Sequence, residues 1–197
     1  MPPNILKWPI SSLSGVLIIL IFCSFVFASW ALYPGEYSPL NNWLSDLGNS
    51  GLNPKGAIFF NLGCILAGAA TFPFAYGLKA WEAGKRKNLK LRISQVSGFL
   101  SGFLLIMVGL FPEDSPAPHS LFSAGFFASF GIFILLSVSA LWSHPKFRKP
   151  IGMFGLAIFG MNLLFGFAYR APLAEWITVT GFLIYMGLLA WNMRAFS

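Results

Sequence analysis

The stretch NWLSDLGNSGLNPKGAIFFN, residues 42–61, is the longest polar interval in a chain that is otherwise apolar. It contains one acid, Asp46, several asparagines and glycines, and it leads directly into a hydrophobic segment. It therefore separates the first two hydrophobic segments and is the first place to look for a site.

The composition around this stretch is that of an integral membrane protein. Of the 197 residues, 56% are hydrophobic and only 10% are charged, whereas a soluble domain carries about 25% charged residues. The length fits one all-α transmembrane domain over residues 1–197. Six apolar windows reach the roughly 20 residues needed to cross a bilayer, and they lie at 12–32, 56–78, 93–111, 119–142, 151–169 and 173–191.

The charges predict the orientation of these six helices. All of the 13 basic residues except Lys55 and Arg170 lie at the termini and in the loops after helices two and four. Short loops rich in Lys and Arg stay in the cytoplasm, so we expect a multi-pass protein of the cell membrane with both termini cytoplasmic. Because the net charge of +7 is sorted by membrane side, it does not indicate nucleic-acid binding.

The first outer loop, residues 33–55, is predicted to contain a short amphipathic helix in the membrane interface. Ser38 and Pro39 are typical of a helix start, and Gly48 can end the helix. One face of the helix is apolar, with residues at helical spacing: Leu40, Trp43, Leu44 and Leu47. Asn53 followed by Pro54 predicts the start of the second transmembrane helix.

Most polar residues that could form a site fall in the outer third of the bundle: Ser45, Asp46, Asn61, Glu113, Asp114, His119, Asn162, Arg170 and Glu175. Carboxylates with amide oxygens suit a divalent cation, and Asp with His suits metal-assisted or acid/base hydrolysis. Arg170 suits a carboxylate or a lipid phosphate. The alternative is structural, with Asn61 and Asn162 bonding between helices and the charged groups holding the outer loops.

Three motifs carry a family resemblance: LSDLGN at residues 44–49, FNLG at 60–63, and GLFPED at 109–114 followed by His119. With them the chain resembles the domain-of-unknown-function family 998 of archaeal and bacterial membrane proteins, which implies six helices and the same outer motifs but no activity. The S-D-L-G piece is also similar to one in the Frag/DRAM/Sfk group. Ser45, Asp46 and His119 invite comparison with ceramidase-like zinc hydrolases, but the other histidines of those enzymes are missing here.

Two functions remain open at this point. In the first, the outer site of a non-enzymatic protein binds a lipid headgroup or a small amphiphile, or docks a partner subunit or a second copy. Ser45, Asn61, Glu113, Asn162 and Arg170 would then contact the ligand. In the second, a hydrolase or transferase acts on a lipid or polyprenyl substrate, with Asp46, Asp114 and His119 as catalytic groups or as ligands of a divalent cation.

Overall fold

The computed structural model describes residues 8–82, 88–167 and 171–194, and these residues form helices, turns and loops without a β-strand. The six long helices are α1 (Ile10–Ala31), α2 (Ala57–Gly77), α3 (Leu89–Leu110), α4 (Pro116–Leu141), α5 (Lys149–Phe167) and α6 (Pro172–Met193). Each is long and apolar enough to cross a membrane. The prediction of an all-α membrane protein with six spanning helices is therefore confirmed.

The helices form a closed ring in chain order. Each helix packs on the next one in sequence, and α6 returns to pack on α1. Because each of these consecutive helices is long enough to cross the membrane, neighbouring helices run antiparallel. The ring has two ends, and we call the end at which α1 finishes and α2 begins the lid end, after the segment that covers it.

The contact between α2 and α3 depends on glycine. A Cβ atom on Gly68 would lie 2.6 Å from the carbonyl oxygen of Gly102, and one on Gly102 would lie 2.8 Å from that of Gly68. Both distances are shorter than a van der Waals contact, so only glycine lets the two backbones approach this closely. Such small residues are typical of helix packing in lipid.

The helix bounds agree with the predicted windows except at the start of α3. The predicted window begins at residue 93, whereas the helix begins at Leu89. The side chain of Asn88 accepts a hydrogen bond from Leu91 N at 3.3 Å and caps the first turn. The charged residues Lys90 and Arg92 therefore belong to the helix and not to the loop.

The first loop, residues 33–55, is called the lid here, and it differs from the predicted amphipathic helix. Its only helical part among these residues is a four-residue 3-10 helix, Ser45–Gly48. Leu44 and Leu47 are buried in the bundle, but Leu40 is 67% exposed. Contacts of the lid to α1, α2 and α6 determine its conformation and override the helical periodicity of its leucines. The lid therefore covers the end of the ring and does not lie alongside it in the membrane interface.

Candidate functional site

A buried polar knot fastens the lid to α1. Ser29 donates its hydroxyl to Leu47 O at 3.0 Å. The Asn53 amide donates to Leu47 O at 3.0 Å, to Ser29 Oγ at 3.0 Å and to Ser29 O at 3.2 Å. Its oxygen accepts from Gly56 N at 3.1 Å. All of Ser29, Leu47 and Asn53 have no exposed surface, so these bonds form without competition from solvent.

Asn61 fastens the lid to α2. Its amide donates to Gly48 O at 3.0 Å, while its Oδ1 is buried without a hydrogen-bond partner. A Cβ on Gly48 would lie 2.5 Å from Asn61 Oδ1 and 2.6 Å from the Phe60 ring. The 3-10 helix can therefore sit this close to α2 only because residue 48 is glycine. This contact joins two of the motifs, LSDLGN and FNLG.

The first turn of α6 holds the other side of the lid. The carboxylate of Glu175 accepts from Leu44 N at 2.7 Å and also from the backbone N–H of Ser45. Trp176 donates its indole N–H to Asn42 O at 3.3 Å. Glu175 thus caps the start of the 3-10 helix, and α6 is joined to the lid across the closure of the ring.

A pair of carboxyl groups lies between the lid and the loop that joins α3 to α4. Glu113 accepts from Ser45 Oγ at 3.3 Å and from Asn49 Nδ2 at 3.4 Å, and it shares a hydrogen bond with Asp46. Asp46 also accepts from Trp43 N at 3.0 Å. Burial, followed by the charge of Asp46, raises the pKa of Glu113, because both disfavour a second negative charge.

The structure places the three candidate catalytic residues in separate contacts. Asp46 binds the backbone of its own turn. Asp114 is exposed and accepts from the hydroxyl of Ser50. His119 is buried, and its Nδ1 lies 3.0 Å from Phe111 O. Since a carbonyl only accepts, Nδ1 carries a proton, and in the neutral ring Nε2 is then an acceptor.

No group of three or more His, Cys, Asp or Glu side chains in the described ranges could hold a metal ion. The residues proposed as metal ligands, Asp46, Asp114 and His119, are thus not gathered as a metal centre would need.

Asn162, one of the residues predicted to bind a ligand, is bonded to another helix and not to the lid. Asn162 donates its amide to Phe127 O at 3.0 Å, and this bond links α5 to α4 in the way that the structural alternative for this residue predicts. Arg170 lies outside the described residues. Of the predicted binding residues that the structure describes, Ser45, Asn61 and Glu113 thus meet at the lid.

A cavity of about 60 Å³ lies in the centre of the ring beneath the lid. Its walls come from every long helix except α5, and most of them are apolar. The lining residues at the lid end include three polar side chains, those of Ser45, His119 and Glu175. Deeper in the cavity, the hydroxyls of Thr71 and Ser101 are already bonded to helix groups, so the deep part offers mainly hydrocarbon.

The cavity is long and narrow. Its lining on α6 extends from Glu175 to Met186, and on α4 from His119 to Phe130. At about 1.5 Å per residue, each run is roughly 17 Å long, which is about half of the ~30 Å hydrocarbon thickness of a bilayer. A volume of 60 Å³ is small beside the ~300–1,000 Å³ of a site for a drug-sized ligand, so only a slender group fits.

No ligand role was predicted for Glu175, and the hydrogen bonds by which Ser29 and the Asn53 amide join the lid to α1 were not predicted. Asn53 was expected to start α2, and its side-chain oxygen does cap that start by accepting from Gly56 N, but its amide group also reaches α1 and the lid. One signal for Ser29 was present, since a serine near the end of an apolar helix needs a hydrogen-bond partner. No local pattern could identify that partner.

A family model described as "Protein of unknown function (DUF998)" matches residues 16–192. The match includes all three of the motifs that carried the resemblance, and it confirms that resemblance. Searches of curated proteins and of solved structures gave no significant match.

Proposed function

The chain belongs to the DUF998 family, and from the geometry of its lid end we propose that it binds a single-chain amphiphile, with the chain in the central cavity and the polar head beneath the lid. The observation that carries this proposal is the composition of the cavity. Its deep lining is mostly apolar, whereas the polar side chains of Ser45, His119 and Glu175 all line its lid end. A molecule that is apolar along its length and polar at one end matches both parts.

The narrow cavity favours one chain over two. With about 60 Å³ free, a methyl end and a few methylene groups enter without change, and a longer chain enters by rotation of lining rings such as those of Phe126 and Phe127. A chain of about 17 Å would fill the full depth of the cavity. Each buried methylene group contributes about 0.8 kcal/mol, so affinity should rise with chain length until the cavity is full.

The charges at the lid end favour a head that is not anionic. Glu175 lies within the electrostatic range of Glu113 and Asp46, and all three belong to the lid or its contacts. A like charge placed among carboxylates is disfavoured. A hydroxyl or an amine, in contrast, can donate to Glu175 or to the free nitrogen of His119, so these heads suit the site.

Photocrosslinking tests this proposal. The protein is placed in phosphatidylcholine nanodiscs with a monoacylglycerol that carries a diazirine at its chain end, and crosslinked peptides are mapped by mass spectrometry. We expect crosslinks at cavity residues of α4 and α6, such as Phe130 and Met186. Excess unlabelled monoacylglycerol or a long-chain primary amine should compete, and a fatty acid at neutral pH should compete poorly.

Two alanines of α2 provide a matched control. Ala67 lines the cavity and is buried, whereas Ala69 is exposed on the same helix. Ala67→Leu should abolish the cavity crosslinks and Ala69→Leu should retain them. If Ala67→Leu does not fold, Val179→Phe, on the α6 wall, fills the same space. Crosslinks that stay on outward-facing residues in the wild type would refute the proposal.

A hydrolase or transferase at the same lid end is the second candidate function. It is favoured by the Asp46–Glu113 carboxyl pair, in which the pKa of Glu113 is raised. Glu113 therefore keeps its proton at a higher pH than an ordinary glutamate does, as a general acid requires. After incubation with the monoacylglycerol, free glycerol and fatty acid would support this function if Asp46→Asn abolished their release. If the monoacylglycerol is recovered unchanged, the result supports binding and not hydrolysis as the function of the lid end.

We also propose that the lid faces the outside of the cell, because the basic loops lie at the opposite end of the ring. Lys55 in the lid and Ala80 at the other end are both exposed. In intact cells, a membrane-impermeant maleimide should label a Lys55→Cys variant and not an Ala80→Cys variant. The wild type is the blank, since Cys23 and Cys64 lie within α1 and α2. The reverse pattern would overturn the orientation.

A further inference from the structure

A second concave surface lies at the end of the ring opposite the lid, between the last turns of α4 and the first half of α5. This groove measures about 380 Å³ and is lined by Leu135, Val138, Ser139, Trp142, Ser143 and Leu156. The lining from Leu135 to Ser143 covers the end of α4 and the turn that follows it, eight residue steps in all. Leucine and valine occupy the part nearer the bilayer centre, and the hydroxyl groups and the indole lie near the helix end.

Two lysines flank the polar end of the groove from different helices. Lys90, in the first turn of α3, donates its ammonium to Ser139 Oγ at 3.0 Å. Lys149, the first residue of α5, places its Nζ 6.0 Å from the centre of the Trp142 ring. Both lysines are exposed, so each has donor capacity left for a further partner.

Within the described part of the chain, no carboxylate pairs with these two lysines. Five of the six acidic residues lie in the lid, in the loop before α4 or at the start of α6, so Glu82 is the one acid at this end. Glu82 is bonded to Arg92, with Nε to Oε1 at 3.1 Å. The mouth of the groove is therefore positive, with hydroxyl groups at hand, above an apolar wall.

We propose that this groove is a binding site for one anionic phospholipid. The phosphate lies between the ammonium groups of Lys90 and Lys149, where the hydroxyl of Ser143 can donate to it. One acyl chain lies along Leu135, Val138 and Leu156. Lysine is a common phosphate partner, and basic pockets between transmembrane helices on this side bind anionic head groups. The Trp142 ring lies at the level where tryptophan meets head groups.

Native mass spectrometry of the purified protein tests this site. The probes are dioleoyl phosphatidylglycerol, dioleoyl phosphatidylcholine and free glycerol 3-phosphate. We expect the phosphatidylglycerol adduct to survive detergent removal and the phosphatidylcholine adduct to be lost. Each lysine near an anionic lipid contributes about a fivefold change in affinity, so Lys90→Gln with Lys149→Gln should weaken phosphatidylglycerol binding about 30-fold.

Two further variants distinguish a lipid in the groove from general attraction of anions to the basic end of the ring. Lys79 lies at the same end outside the groove lining, bonded to the hydroxyl of Tyr76, and Lys79→Gln should leave the adduct unchanged. Leu156→Trp keeps both lysines but fills the groove along its apolar wall, so it should remove the phosphatidylglycerol adduct. Three outcomes would overturn the proposal. The two lipids could be retained equally, all lysine variants could have equal effects, or glycerol 3-phosphate could compete with the lipid at the same concentration.

Discussion

Replacing Asn53 by alanine removes the fastening between the lid and α1. The amide has two hydrogens for its three acceptors, and its oxygen accepts one bond, so about three bonds are lost. At about 1 kcal/mol for each net hydrogen bond, the cost is about 3 kcal/mol. The free-energy cost is no larger because two of the former partners stay hydrogen-bonded. Gly56 N keeps its bond to the backbone oxygen of residue 53, and Leu47 O keeps its bond from Ser29.

A thermal assay can measure this loss through a native cysteine. Cys64 is 1% exposed, so a fluorogenic maleimide labels it when the bundle opens. For a chain of this size, 1 kcal/mol shifts the midpoint by about 2–4 °C, and we expect a midpoint about 6–12 °C lower in Asn53→Ala. Asn41 is exposed in the same lid, and Asn41→Ala is the matched control.

The aspartate variant sharpens the test. Asn53→Asp keeps the shape but turns a carboxylate oxygen toward Leu47 O and Ser29 O, which also only accept hydrogen bonds. A buried carboxylate with one oxygen turned toward acceptors is costly, so this variant should be less stable than Asn53→Ala at neutral pH and should recover at a pH near 4. Equal midpoints for the Asn53 and Asn41 variants would refute the assignment of Asn53 as the fastening residue.

Three further outcomes follow from the same contacts. The pKa of Glu113 is raised above its ordinary value of 4.5, so this side chain holds its proton more tightly in the folded protein than in the unfolded chain. The stability that Glu113 contributes is therefore full below pH 4.5 and is lost as the pH rises through the folded pKa. Glu113→Gln should remove this part of the fall in the unfolding midpoint between acidic and mildly basic pH. Gly48→Ala should cost about 1–3 kcal/mol through its clash with Asn61 and Phe60, whereas Gly160→Ala, with nothing within 4 Å, should not lower the midpoint in the same labelling assay. Tyr185→Phe removes the 2.7 Å hydrogen bond between Tyr185 and Ser137 and should lower the free energy of unfolding by about 0.5–1.5 kcal/mol. A midpoint equal to that of the wild type would show that this bond adds nothing to the packing of α4 on α6.

The candidate site was only partly predictable. The sequence placed Ser45, Asp46, Glu113 and Asn61 at one end of the bundle, and the structure brings them together around the lid. It also grouped Asp114 and His119 with Asp46, but these side chains bind separate loop groups. Depth in the membrane can be counted along each helix, whereas the direction of a side chain depends on how the helices are rotated in the ring.

Length, hydropathy and short motifs are local properties of the chain, and they were enough to predict the six helices, their membrane character and the family. The role of the polar stretch at residues 42–61, in contrast, depends on the tertiary structure. Leu44 and Glu175 are 131 residues apart, and they meet only because α6 returns to α1. The same closure forms the cavity beneath the lid, and no pattern within one segment could show it.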